Sequence, residues 1–288
     1  MPDYLKMMEE IAWETHFDTT CFKIQNKASP RPQILDMGMA PGGFLSIALK
    51  HNREAQAFGF SLPVSDGGYE ILVKKRPDVV IKELDVTMLA ADLGIDDMPE
   101  ESPDGRPFLS RQFAPGQRFD LVICGCSIVR DHPVLIVREG CRLRASQLAL
   151  GLQRLSSGGK MVVLFHKLEA WDTLLDLYRF SRFSDKVQLC KPETGTGHDK
   201  RSSFYMVATG VRSDKLEALD AIESWKDLWK AATLDIDGKL MKEVRDEEPA
   251  VQTVLGGFGD KLKDMIRKVW STQAKALKEA LVINSIKK

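Results

Sequence analysis

Ile34-Leu-Asp-Met-Gly-Met-Ala-Pro-Gly-Gly-Phe44 sets a glycine-rich corner between two kinds of periodicity. Before it stands a short β-rich run, 33–35, preceded by Pro30 and Pro32, which stop anything helical upstream. After it, residues 43–51 carry apolar side chains at helical spacing. Glycine lets the backbone turn tightly and approach a ligand closely, and the first turn of a helix presents free N–H groups. A strand, a glycine turn and a helix start in that order predict the ligand-binding corner of a doubly wound α/β domain.

The rest of the chain repeats the alternation. β-rich runs recur at 55–62, 79–84, 119–124, 160–165, 187–190 and 203–208, with helical patterns at 138–154 and 170–182 between them. This order predicts a Rossmann-like, mainly parallel sheet with helices on both faces, over residues 33–210. A helix at 4–16, with Leu5, Met8, Ile11 and Ala12 on one stripe, leads in as part of residues 1–32. Prolines and glycines across 97–118 predict a long surface loop. Beyond Gly210 come charged helices without strands, the extension 211–288. One apolar stripe there runs through Leu216, Leu219, Ile222, Trp225 and Trp229, a second through Leu262, Met265, Ile266, Val269, Trp270, Leu277 and Leu281. These stripes are expected to cover the sheet domain or each other, and tryptophans at an interface leave a protein partner open.

Composition narrows the function classes. Lys plus Arg and Asp plus Glu both number 41, so the chain as a whole exerts no long-range pull on a polyanion, and RNA binding requires a local patch. Arg138 and Arg142, with Lys160, are the candidates for phosphate contacts, while a solvated helix face explains them equally well. The five cysteines are scattered, without the spacing of a zinc site or a disulfide framework, so no metal is expected and a reducing compartment, cytoplasmic or nuclear, is. No apolar run reaches membrane-spanning length, and the start lacks the apolar core of a signal peptide, so a soluble protein without membrane contact is expected.

Pro41 interrupts the Gly-x-Gly-x-x-Gly spacing that cradles a pyrophosphate, so a ligand without phosphates fits the corner better. S-adenosylmethionine (SAM) has a carboxylate to meet turn and helix donors and an ammonium to meet carbonyls or Asp36. A glycine-rich turn without a ligand is the plainer alternative. Asp36-Met-Gly-Met-Ala-Pro-Gly-Gly-Phe44 resembles the first motif of the FtsJ-like ribose 2'-O-methyltransferases, Asp-Leu-Gly-Ala-Ala-Pro-Gly-Gly followed by Phe or Trp. The resemblance extends through Phe119-Asp-Leu-Val-Ile-Cys124, Gly158-Gly-Lys-Met-Val-Val163 and Lys200-Arg-Ser-Ser-Phe-Tyr-Met-Val-Ala-Thr-Gly210, and Leu164-Phe-His-Lys-Leu-Glu-Ala-Trp-Asp-Thr173 looks like a fungal branch of that family. It implies SAM as cofactor, with Gly38, Pro41, Gly42, Gly43 and Phe44 around it and Asp85 meeting the adenine. Ser61 stands where an acidic residue commonly holds the ribose hydroxyls.

The implied reaction is methyl transfer to an RNA ribose hydroxyl, a poor nucleophile whose proton must be removed or shared. The family uses a Lys-Asp-Lys-Glu group. Carried over, its aspartate falls on Gly125, its central lysine on Leu164 and its glutamate on Ser203. Lys167, beside His166, is the nearest substitute for the central lysine, and Lys6 resembles the family's first lysine; both are candidate catalytic residues, and Lys167 could equally be a solvated turn residue. His166 reads as a packed core histidine or as a base. Two further readings stay open, a SAM-binding relative that lost its chemistry and acts through a partner, and a methyltransferase for a small-molecule acceptor.

Overall fold

A computed structural model describes residues 2–25, 31–127, 133–193, 197–235 and 237–286. Seven strands form one sheet: β1 (Gln33–Met37), β2 (Gln56–Ser61), β3 (Val79–Glu83), β4 (Phe119–Cys124), β5 (Leu155–Phe165), β6 (Ser184–Cys190) and β7 (Phe204–Val211), in the order β3-β2-β1-β4-β5-β7-β6. The first five are parallel to one another, and β7 enters antiparallel between β5 and β6. β4 is buried at every position, as a strand covered on both faces must be. The order reverses at β1, which pairs with β2 on one side and β4 on the other, so a crevice opens beyond the C-terminal ends of these strands.

Eight α-helices accompany the sheet among the described residues: α1 (Pro2–Thr19), α2 (Gly43–His51), α3 (Ala90–Leu93), α4 (Pro133–Arg154), α5 (Trp171–Phe183), α6 (Leu216–Leu234), α7 (Lys239–Asp246) and α8 (Val251–Ile286). α1 lies on α2 so closely that a Cβ on Gly43 would stand 2.5 Å from the carbonyl carbon of Met8. Residues 97–118 form the expected loop, pinned by a bridge between Glu101 and Pro107. Pro30 and the side chain of Leu281 lie outside the described residues.

The C-terminal extension is continuous with the core. Trp225 and Trp229 of α6 are fully buried in the cluster that holds Leu148 and Leu152 of α4 and Met161 of β5. Each indole N–H is satisfied: Trp225 donates to Asp176 Oδ1 at 2.8 Å and Trp229 to the carbonyl of Thr87 at 2.9 Å. The predicted stripe is displaced at its start, since Leu216 and Leu219 are exposed and Ala218 and Ala221 take the inward positions. In α8 the inward row is Phe258, Leu262, Val269 and Ala276, leaving Trp270 and Leu277 exposed, because the helix touches the sheet along a narrower strip than the apolar pattern suggests.

Trp225→Ala is expected to cost about 3–5 kcal/mol in chemical denaturation, the range for truncating a core tryptophan, and deletion of 211–288 is expected to give insoluble protein by exposing the face of α4 that α6 covers. An undiminished denaturation midpoint for Trp225→Ala would show that the extension is an accessory to an independently stable sheet.

Candidate active site

The corner after β1 is shaped by backbone, not side chains. Gly38 has φ +79, and a Cβ there would meet the amide nitrogen of Cys126 at 2.6 Å. Its own N–H and that of Met39 both donate to the carbonyl of Phe60, at 2.8 and 2.9 Å, while Gly125 N–H donates to Met37 O at 2.8 Å. These bonds draw the ends of β1, β2 and β4 together. Gly42 caps α2 with φ +112, and the space for a Cβ there is filled by Val73.

A cavity of about 550 Å³ opens over these strand ends, within the usual range of roughly 300–1,000 Å³ for small-molecule sites. Asp36, Gly38, Pro41, Gly43, Phe44, Ser61 and Asp85 line it, as expected from sequence. Gly42 does not; its role is the left-handed turn. Asp36 is 1% exposed, and its Oδ2 has no hydrogen-bond partner, so burial pushes the carboxyl up to about 8. Ser61 Oγ reaches only the carbonyl of Leu62, at 3.4 Å. Asp85 accepts from Thr87 N–H at 2.9 Å and Thr87 Oγ1 at 2.7 Å, and Arg106 pairs with its other oxygen at 2.5 Å. With about four lone-pair sites on a carboxylate, it keeps acceptor capacity toward the cavity.

Residues 15–210 match the profile of the FtsJ-like methyltransferases. The chain belongs to this family. No curated protein matched it in sequence. Among solved structures it is similar to a ribosomal RNA methyltransferase from Plasmodium falciparum, at 16% identity and TM-score 0.46 over 70% of this chain and 96% of that one. It is also similar to an rRNA methylase from Streptococcus thermophilus, at 10% identity and TM-score 0.40 over 69% and 97%, and to a SAM-bound amino pentose methyltransferase from Micromonospora echinaspora, at 16% identity and TM-score 0.31 over 52% and 50%.

In this family member, Gly125, Leu164 and Ser203 all line the cavity, where the family's charged residues are expected. Neither lysine candidate does. Lys6 points outward, its side chain 77% exposed and paired with Glu10 at 3.9 Å. Lys167 is exposed in a left-handed turn, φ +50, whose N–H donates to Ser202 O at 3.2 Å and whose carbonyl accepts from Ala170 at 2.9 Å. The turn that ends β5 swings the lysine out and leaves its neighbour His166 on the cavity wall.

Beyond Phe44, whose ring lies 4.9 Å from that of Tyr205, the cavity wall holds groups with little sequence signal. His198 Nε2 lies 3.2 Å from Ser203 Oγ, and its ring stacks on Tyr205 at 5.5 Å. Burial, with Lys191 and Arg201 nearby, lowers His198 to about 4. Lys191 is 2% exposed and donates to the carbonyls of Arg201 and, at 2.6 Å, Ser203; loss of hydration lowers it to about 8. Loss of hydration also lowers His166, reinforced by Lys191 and Lys167. Arg201 lines the cavity, and Tyr4 and Tyr69, centroids 5.1 Å apart, flank it. Tyr69, His198 and Arg201 stand in irregular segments that carry no periodicity, so the sequence reached this wall only through His166 and the resemblances at Leu164–Thr173 and Lys200–Gly210.

The expected phosphate-binding residues are engaged by the protein itself. Arg138 caps α6 through the carbonyls of Ala232 (2.7 Å) and Thr233 (3.0 Å). Arg142 is buried against Glu139 at 2.7 Å, and Lys160 holds the carbonyls of Thr20 and Lys23 at 3.0 and 2.8 Å. Trp171 and Asp172 serve the extension, Trp171 donating to Glu248 at 2.8 Å and Asp172 pairing with Arg245 and Arg144.

Gly38→Ala is expected to lower stability by about 1–3 kcal/mol through overpacking against Cys126. Gly125→Ala, whose Cβ would meet nothing closer than 3.6 Å, is expected to be neutral or to gain up to about 1 kcal/mol; equal thermal shifts for the two would refute the corner geometry. Asp36 gives a pH signature. Its folded pKa lies above its unfolded one, so the ligand-free protein carries no penalty from it below about pH 4 and the full penalty above about pH 8. Asp36→Asn should therefore match wild type at about pH 4 and exceed it by about 1–3 kcal/mol above about pH 8, the scale of an unsatisfied buried polar group.

Proposed function

We propose that this chain is a SAM-dependent methyltransferase whose donor site is the cavity over β1, β2 and β4. The observation that carries the reading is Asp36, a buried carboxylate with an orphaned oxygen beside a glycine corner and a helix start. An α-ammonium group would supply its missing partner, and the first-turn amides of α2 would take the carboxylate of the same amino acid. Ser61 would hold a ribose hydroxyl, and Asp85 the adenine edge. SAM, when bound, supplies an electrophilic methyl group on a sulfonium. The chain's part is to orient the donor, exclude water with the apolar side chains of Met7, Met8 and Phe44, and aim an acceptor from the side of Ser203.

The family's acceptor, an RNA ribose hydroxyl, is supported by membership alone. Such a hydroxyl would have to give up its proton, and among the described residues no lysine lines the cavity. The neutral imidazoles of His166 and His198 are the groups on that wall able to take one. Gly125 and Leu164, which can neither tune nor accept a proton, favour a second reading, a donor-binding relative without chemistry that works through a partner.

Calorimetric titration of SAM into the purified protein separates these from a site that binds nothing. Affinity should rise from about pH 6 towards 8 as Asp36 loses its proton, then fall as the ligand's α-amino group, with a pKa of about 7.7–8.0, loses its charge. Asp36→Asn should weaken binding at least about tenfold, about 1.4 kcal/mol, and abolish the rising limb. No heat and no thermal shift with folded wild type would overturn the donor-site reading.

A further inference from the structure

We propose that the acceptor is a small molecule presenting an oxyanion, a carboxylate or phenolate, to the cavity wall formed by Arg201, His166 and His198. This rests on the donor-site reading above and names the substrate class it leaves open.

That wall consists of two turns bonded to each other. The one after β5 carries His166; the one before β7 carries His198, Arg201 and Ser203, and is closed by Arg201 N–H donating to His198 O at 3.2 Å; Lys167 N–H donates to Ser202 O at 3.2 Å and joins the two turns. Its charge is mainly positive, with Asp199 of the turn before β7 acting on Lys191. Arg201 has no carboxylate within 4.0 Å among the described residues, and Lys191, buried beneath, donates to two backbone carbonyls. The carboxylates Asp85 and Glu139, which also line the cavity, are neutralised by Arg106 and Arg142. A guanidinium exposed on the cavity wall without a carboxylate partner, and backed by a buried ammonium, favours an anion in front of it.

An oxyanion also fits the missing chemistry. Its oxygen lone pair forms the new O–C bond to the methyl carbon as the C–S bond breaks and that electron pair returns to sulfur. The negative acceptor and the positive sulfonium become a neutral ester or ether and a neutral thioether, and no proton moves. Nothing then requires the lysine and carboxylates that Leu164, Gly125 and Ser203 replace. A methylated product has lost the charge that held it, which favours release. The neutral state of His198 suits hydrogen-bond donation to the acceptor oxygen. Small size follows from the surroundings: Tyr4 and Tyr69 narrow the mouth, while Arg138, Arg142 and Lys160, which could track a phosphate backbone, are held by the protein's own groups.

The test uses full-length protein saturated with S-adenosylhomocysteine, titrated with benzoate and with benzamide, its neutral counterpart, by calorimetry and ligand-observed NMR. Benzoate is expected to bind saturably and benzamide at least tenfold more weakly. Arg201→Gln should weaken benzoate at least tenfold with S-adenosylhomocysteine affinity unchanged, and Lys6→Gln should change neither. Failure of S-adenosylhomocysteine to bind would sink the donor site and this inference with it. If it binds but benzoate does not saturate, or benzamide binds equally, or Arg201→Gln has no effect, the oxyanion acceptor is wrong while the donor site stands. Arg201-dependent binding of a short single-stranded RNA in place of benzoate would assign the wall to a nucleic-acid acceptor instead.

Discussion

A side chain at Gly38 would collide with the backbone of Cys126, and the rest of the site depends on that lack of room. The left-handed turn at this glycine directs two successive amides to one carbonyl, that of Phe60, and so locks the end of β1 against β2. The bond from Gly125 to Met37 fixes β4 on the other flank. With three strand ends held at one level, the crevice at the reversal of strand order becomes a cavity, and Asp36, one residue before the end of the central strand, is buried without a choice of partner. Isolated in this way, a carboxylate costs stability unless a ligand completes it.

Periodicity made most of this legible in the sequence. The strands around Leu35, Phe58, Val122 and Val162 are apolar runs bounded by turn residues, and all are found; the glycine corner was read with its flanking strand and helix, and seven of its lining residues followed. Direction and reach were less visible. The run 203–208 carries no mark that it enters antiparallel between β5 and β6, since alternation is the same in either direction. Lys167 looked catalytic because it follows the strand that ends at Phe165, but a single left-handed residue reverses where its side chain points. Arg138 and Arg142 looked like a surface patch because two of their partners, the end of α6 and Asp104, come from packing that no local pattern records; only Glu139, three residues before Arg142, was within reach of local spacing.

The block His166 to Asp172 illustrates how a resemblance can be right in place and different in use. Trp171 bonds to Glu248, and Asp172 joins Arg144 to Arg245, so the start of α5 ties α4 to the segment around α7. Burial raises Asp172 less than its two guanidinium partners lower it, and its carboxyl stays below the usual range. These residues are a joint between the sheet and the extension, and the extension in turn reaches the acceptor wall from outside, Gln273 of α8 donating to Lys200 O at 3.3 Å beside Arg201. Without α6 to α8, the core would lose its two buried tryptophans and the loop before β7 an outer support.

Electrostatically the cavity is divided. On the glycine side stand Asp36, orphaned, and Asp85, partly engaged; across from them stand Arg201 and, beneath, Lys191. On the proposed function, a methyl donor with a positive sulfonium and ammonium would sit against the first set, and an acceptor that reacts by neutralising charge against the second. Proton removal in a buried site needs a base with its own tuning charges, and the positions from which the family supplies them, Gly125 and Leu164, hold only hydrogen and hydrocarbon. For the proposed reaction, attraction between opposite charges would serve better than deprotonation of a neutral hydroxyl, because attraction needs only fixed charges on either side of the reacting carbon.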